Sequence, residues 1–302
     1  VVAAAAALGN AARWQTVGLL NLLDRVWPGA AGVQVATAIP YGPGAAQRVD
    51  IFVPRGARAG GNAPVILWWH GGGWANGGRE VYGFAGRAFA AQGFVTIVAG
   101  YRLGPQGRFP AMMQDVAGAV AWARANVARF GGDGNRIVLA GQSAGAHLAT
   151  LAALDPQWLG ADARPGGAVR GVIGLSGPYD FAPFEPGRTA DITFSHVADA
   201  AQTQPIHFAR ADAPSMFLAT GDADPTVNPR NTRALAAALV DARAAAGADG
   251  AAGAGGAVET HYYAGMDHAG TVMALSLPFR GRAPVLADAA DFAHRVTRTT
   301  PR

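Results

Sequence analysis

The sequence predicts an α/β fold, a mostly parallel central sheet with helices on both faces, and three observations predict it. Continuous apolar runs such as Val65–Ile66–Leu67–Trp68–Trp69 and Ile137–Val138–Leu139–Ala140 read as strands buried on both sides. These runs alternate with longer helical stretches, the pattern of a parallel sheet whose connections cross over its faces. An initial strand pair precedes the alternation and would form one edge.

Taken in order, Val1–Val2–Ala3–Ala4–Ala5–Ala6–Ala7–Leu8 is either the remnant of an export signal's apolar region or the trimmed edge of the chain, and export is the preferred expectation. Trp14 to Trp27 has the spacing of an amphipathic helix that ends at Pro28–Gly29 and packs on its own domain or covers the site. Residues 1–32 therefore form an N-terminal helical segment and 33–302 the main domain. Val33–Ile39 and Arg48–Val53, joined through Tyr41–Gly42–Pro43–Gly44, read as a hairpin at the sheet edge. Val65–Trp69 and Phe94–Ala99 are core strands, and Met112–Arg129 is a long helix with small apolar residues on its inner face. Arg102 and Asp115 flank the loop between the second of these strands and that helix and are expected to pair there. After the strand at Val172–Ser176 comes an insertion, Gly177–Arg210, rich in aromatics (Tyr179, Phe181, Phe184, Phe194, Phe208) and expected to form a short cap. Ser215–Thr220 and Val258–Tyr263 are the last strands. Asp241–Ala257, alanine- and glycine-rich, reads as a helix end fraying into a mobile loop, and Pro284–Val296 as a closing helix.

Chemistry enters at Gly141–Gln142–Ser143–Ala144–Gly145, which lies between a buried strand and the start of a helix. A serine on so sharp a turn projects above the sheet, and a side chain at either glycine would collide with its neighbours. Upstream, Val65–Trp69 runs into His70–Gly71–Gly72–Gly73–Trp74, where bare glycines let backbone N–H groups face a ligand at a strand end. His70 is expected to hold this loop through a hydrogen bond, and Trp74 to line the pocket.

An acid and a base must then follow Ser143 in the chain. Asp224, in Gly221–Asp222–Ala223–Asp224–Pro225–Thr226–Val227, is the preferred acid because it sits farther out on the loop than Asp222; Asp180 is a third candidate. His268, in the glycine-flanked loop Gly265–Met266–Asp267–His268–Ala269–Gly270, is the preferred base. His261 within a strand, His294 within the C-terminal helix and His147 one turn beyond Ser143 have structural contexts.

These motifs, with Tyr101–Arg102–Leu103, Phe109–Pro110 and Phe130–Gly131–Gly132–Asp133, resemble the α/β-hydrolase superfamily over roughly residues 40 to 275. Within it the chain is similar to the hormone-sensitive-lipase-like and feruloyl-esterase-like carboxylesterases, with the kynurenine-formamidase-like branch also close. The resemblance implies an α/β-hydrolase fold with Ser143 as nucleophile, Asp224 and His268 as its partners, and the N–H groups of Gly72, Gly73 and Ala144 as an oxyanion hole. It implies a serine carboxylesterase acting on short-chain or aryl esters through an acyl-enzyme. The alternatives are arylformamidase activity on N-formylkynurenine-type amides, or a noncatalytic binding module on the same fold.

Composition narrows the classes further. With no cysteine among 302 residues, disulfides, thiolate catalysis and cysteine metal sites are excluded. The net charge of +4 rests on arginines alone, since lysine is absent, and their scatter argues against nucleic-acid binding. No segment is long enough for an integral membrane span. Neither a metal nor an organic cofactor is expected, and the expected partner is a small-molecule ester.

Overall fold

The computed structural model describes residues 18–24, 32–248 and 255–298. Its centre is an eight-stranded sheet: β1 Gly32–Pro40, β2 Arg48–Pro54, β3 Ala63–Trp69, β4 Val95–Ala99, β5 Gly132–Gln142, β6 Val169–Leu175, β7 Ser215–Gly221 and β8 Val258–Tyr263. The spatial order is β1-β2-β4-β3-β5-β6-β7-β8. β1 and β2 pair antiparallel, β2 meets β4 antiparallel, and every later pair is parallel. The expected edge hairpin and crossover-connected parallel sheet are both present.

Helices cover the two faces: α1 at 18–24, α2 Gly83–Ala91, α3 Ala111–Asn126, α4 Ala144–Leu154, α5 Pro156–Leu159, α6 Thr189–Phe194, α7 Arg230–Ala248, α8 Gly270–Met273 and α9 Val285–Val296. Strand side chains alternate between two cores. Val65, Leu67 and Trp69 of β3 pack with Ile137 and Leu139 of β5 beneath α3, α4 and α7, whereas Ile66, Trp68, Val138 and Ala140 point to the opposite core with α2 and α9. Burial of both faces explains why these strands read as unbroken apolar runs.

Two boundaries differ from expectation. β5 begins at Gly132 rather than near Ile137, because its glycine- and charge-rich start is drawn into the sheet by pairing with Ala63. The helix expected through Arg129 ends at Asn126 and tightens into a 3₁₀ turn over Val127–Phe130, closed by Gly131 at φ 89°. β1 begins at Gly32, one residue before the strand start expected at Val33. Of the expected N-terminal helix, only 18–24 lies within the described residues. It is tied down by the Arg87 guanidinium, which donates to Asp24 Oδ2 (2.7 Å) and Asn21 Oδ1 (2.8 Å). The apolar run at 1–8 and the glycine-rich tract at 249–254 lie outside the described residues.

The expected Arg102–Asp115 pair forms as a multidentate contact. Arg102 donates through Nη2 to Oδ1 (2.7 Å) and through its backbone N–H to Oδ2 (2.7 Å), with Gln47 Nε2 also on Oδ1 (2.7 Å). Asp115 is fully buried, so these donors replace its lost hydration and brace the β4–α3 loop.

Candidate active site

The turn from β5 to α4 holds Ser143 at φ 55°, ψ −120°, a conformation that costs a side-chain-bearing residue on the order of 1–3 kcal/mol and persists only when surroundings enforce it. The enforcement is visible. Ser143 N–H donates to Leu175 O of β6 (2.8 Å), and its carbonyl accepts from His147 N–H (3.0 Å) at the start of α4. A Cβ at Gly145 would stand 2.1 Å from the backbone oxygen of Trp69, so only glycine lets α4 approach β3 this closely.

The other two candidates arrive from the neighbouring strand ends. Asp224 follows β7 and His268 follows β8, and the loops are stitched together by Ala223 N–H to Met266 O (3.2 Å). His268 Nε2 lies 2.9 Å from Ser143 Oγ, and Nδ1 lies 2.7 Å from Asp224 Oδ2. The carboxylate at Nδ1 fixes the ring proton there and leaves the Nε2 lone pair to accept the serine proton. Asp224 Oδ1 accepts from the N–H groups of Thr226 and Val227, both at 2.9 Å. Burial pushes this carboxyl up, but the hydrogen bond and charge of His268 and those two N–H donors outweigh it and hold the group below the usual carboxylate range.

Facing the serine, Gly72, Gly73 and Trp74 have successive positive φ values of 127°, 58° for Trp74 and 57° for Gly73 between them. The loop is closed by Ala75 and Asn76 N–H on Gly72 O, while the N–H groups of Gly72 and Gly73 enter no backbone hydrogen bond among the described residues. Ala144 opens α4, where the N–H has no intrahelical acceptor. Donors of this kind can receive an oxyanion.

The competing acids and bases sit elsewhere. Asp222 accepts Gly265 N–H (2.7 Å) at the surface, and Asp180 faces Arg230 at 3.5 Å. His261 stacks on Phe217 (4.6 Å), and His294 Nε2 donates to Gln92 O (2.9 Å). His70 Nδ1 donates to Gly71 O (2.7 Å) and stacks on Tyr101, supporting the glycine loop as expected. Trp74 departs from its expected place. It is only 5 % exposed, stacked on Phe181 and edge-on to Phe194, so little ring surface is left for a substrate.

Two contributors went unread in the sequence. Gln142 Nε2 donates to the His268 carbonyl oxygen at 3.3 Å and lies 3.3 Å from His268 Nε2, holding the His268 loop against the strand that carries Ser143. Its place just before Ser143 was the available signal. Asn231 Oδ1 accepts the N–H groups of Tyr179 (2.8 Å) and Asp180 (2.9 Å), anchoring the start of the 177–210 insertion from α7; nothing local in the sequence marks it.

Burial holds His70 and His147 neutral, each down to about 4 from the ordinary 6.5, against a smaller opposing effect of their bonds to the Gly71 and Thr203 carbonyls. The unfolded chain takes up these protons first, so their contribution is fully present above pH 6.5 and is lost as pH falls from there toward 4. Urea unfolding at a series of pH values from about 7 to 5 should show the midpoint falling with acidity; a flat midpoint would contradict buried neutral imidazoles.

With this geometry in hand, comparison with known proteins gives a consistent relationship. The BD-FAE family model matches residues 49–239. This chain belongs to the BD-FAE family. The BD-FAE match takes in Ser143 and Asp224, with His268 beyond its end. Esterase LipQ of Mycobacterium tuberculosis is 33% identical over 245 residues, 76% of this chain and 58% of the relative. Esterase LipC of the same organism is 43% identical over 147 residues, 47% of this chain and 36% of the relative. The chain thus spans little more than half the length of LipQ and about a third of LipC. Among solved structures, a truncated carbohydrate esterase from gut microbiota superposes with a TM-score of 0.72 at 18% identity, covering 89% of this chain and 98% of that one. That likeness establishes the α/β-hydrolase fold of this BD-FAE member.

Proposed function

We propose that this chain is a serine carboxylesterase. The observation that carries the reading is the unbroken relay of Ser143 Oγ to His268 Nε2 (2.9 Å) and His268 Nδ1 to Asp224 (2.7 Å), beside a glycine loop whose Gly72 and Gly73 N–H groups enter no backbone hydrogen bond among the described residues. The esterase names of LipQ and LipC support the same chemistry. In the reaction, His268 takes the proton as Ser143 attacks the ester carbonyl, and the oxyanion settles against the N–H groups of Gly72, Gly73 and Ala144. His268 protonates the departing alcohol, and water then enters by the same route to release the acid.

The 177–210 insertion acts as a short cap, and its aromatics argue for small acyl groups. Phe181, Phe184 and Phe194 pack against one another with ring centroids 5.7–5.8 Å apart and close over Trp74, filling space that a long acyl chain would need. The preferred substrates are short acyl esters, roughly acetate to hexanoate, together with aryl esters. Each methylene in an apolar pocket is worth only about 1–3 kcal/mol, so the preference should be graded. The test is kcat/KM on p-nitrophenyl esters of rising chain length, beside a feruloyl ester and N-formylkynurenine. A maximum at short chains is expected; a maximum at dodecanoate or beyond would overturn the short-acyl preference, and a dominant formamide rate would overturn the ester reading.

A further inference from the structure

His147 is fully buried one helical turn after Ser143, and both of its ring nitrogens are engaged by different parts of the chain. Trp74 Nε1–H, which can only donate, lies 3.1 Å from Nδ1. The acceptor at Nδ1 puts the ring proton on Nε2, which donates to Thr203 O at 2.8 Å. With both nitrogens committed, this imidazole has no lone pair to offer a reacting proton. It is a tie, not a base.

What it ties is informative. Trp74 closes the run of positive-φ residues that presents the glycine N–H groups, and its own carbonyl is held by Gly104 N–H (3.1 Å). Thr203 belongs to the insertion, whose turn is locked by Gln204: Nε2 donates to Thr203 Oγ1 (2.7 Å), and Oε1 accepts Phe181 N–H (2.7 Å). The His147 ring also lies edge-on to Trp74 at 5.3 Å and Phe181 at 5.4 Å. Its own backbone N–H caps the nucleophile's carbonyl (3.0 Å). The nucleophile turn, the glycine loop and the insertion therefore meet on one side chain.

We propose that His147 is a positioning residue that aligns the glycine-loop donors with Ser143 by holding Trp74, and fastens them to the insertion through Thr203. The proposal rests on the serine-esterase reading, since it assigns His147 to that site. Oxyanion donors act only where they meet the developing charge, and a misplacement of about 1 Å costs up to about 10²-fold. Asparagine at 147 can put an oxygen where Nδ1 stands and keep the Trp74 bond; glutamine can reach Thr203 but loses that acceptor.

The experiment is steady-state ester hydrolysis normalised to active sites titrated with a fluorophosphonate, with thermal unfolding measured alongside. His147→Phe and Trp74→Phe should each lower kcat per titrated site about 10- to 100-fold with KM changed less than threefold. The double variant should be no worse than the poorer single, as expected for two residues acting through one bond. His147→Asn should recover to within about threefold of the parent, and His147→Gln should not. Parental kcat per site in His147→Phe and Trp74→Phe, multiplying losses in the double variant, or a His147→Asn as poor as His147→Phe would each overturn the proposal. Should His147→Phe fail to fold, Trp74→Phe and the asparagine–glutamine contrast decide it. A parent protein that neither titrates nor turns over esters would instead refute the serine-esterase reading itself, which separates the two failures.

Discussion

Ser143→Ala should lower ester turnover by about 10⁴- to 10⁶-fold while leaving the folded protein intact. The asymmetry follows from where the atoms lie. The features that force the elbow are backbone features: Ser143 N–H on Leu175 O, and Gly145 against the Trp69 carbonyl. Alanine keeps all of them and bears the same positive φ that serine does, so urea unfolding should shift by less than about 1 kcal/mol. What disappears is the Oγ that faces His268 Nε2 at 2.9 Å. The imidazole then has no nucleophile to activate, and the residual rate comes from the remaining oxyanion donors and substrate binding alone. His268→Ala should do comparable damage, because residues that act as one unit lose nearly everything with either member. Turnover within tenfold of the parent in Ser143→Ala, with fluorophosphonate labelling retained, would move the nucleophile elsewhere.

Legibility in the sequence followed the range of the interactions. The strands and the elbow were readable because their causes are local: unbroken apolar runs for strands buried on both faces, and a glycine on either side of Ser143 for a turn that excludes side chains. The placement of Asp224 and His268 beside Ser143 was readable at one remove, through loop position after β7 and β8. The start of β5 and the end of α3 were misjudged because tertiary pairing of Gly132 with Ala63 and a left-handed Gly131 outweighed local propensity. Trp74 was placed in the pocket on adjacency to the glycines. Its burial depends on Phe181 and Phe194, more than a hundred residues away, and no local pattern reports that. His147 looked like ordinary helix packing for the same reason: its partners come from the β3 loop and the insertion.

Asp224→Asn should cost about 10⁴-fold in kcat, and the hydrogen-bond directions say why. Oδ1 accepts from two fixed backbone donors, Thr226 N–H and Val227 N–H. An asparagine must keep its oxygen toward them, since its NH₂ would otherwise face two N–H groups. That leaves the NH₂ pointing at His268 Nδ1, where the carboxylate now sits at 2.7 Å. Nδ1 must then become the acceptor and the ring proton must move to Nε2, the atom that has to take the proton from Ser143. The substitution keeps the shape and reverses the tautomer, so the loss should fall on kcat with little change in unfolding midpoint. Asp222→Asn provides the contrast. Asp222 is exposed and accepts the Gly265 N–H, which an asparagine oxygen can still receive. Its kcat should stay within about twofold of the parent, with at most about 1 kcal/mol lost from stability. Reversed results, with Asp222→Asn inactive and Asp224→Asn near parental, would mean that the loop after β7 presents a different carboxylate to the base.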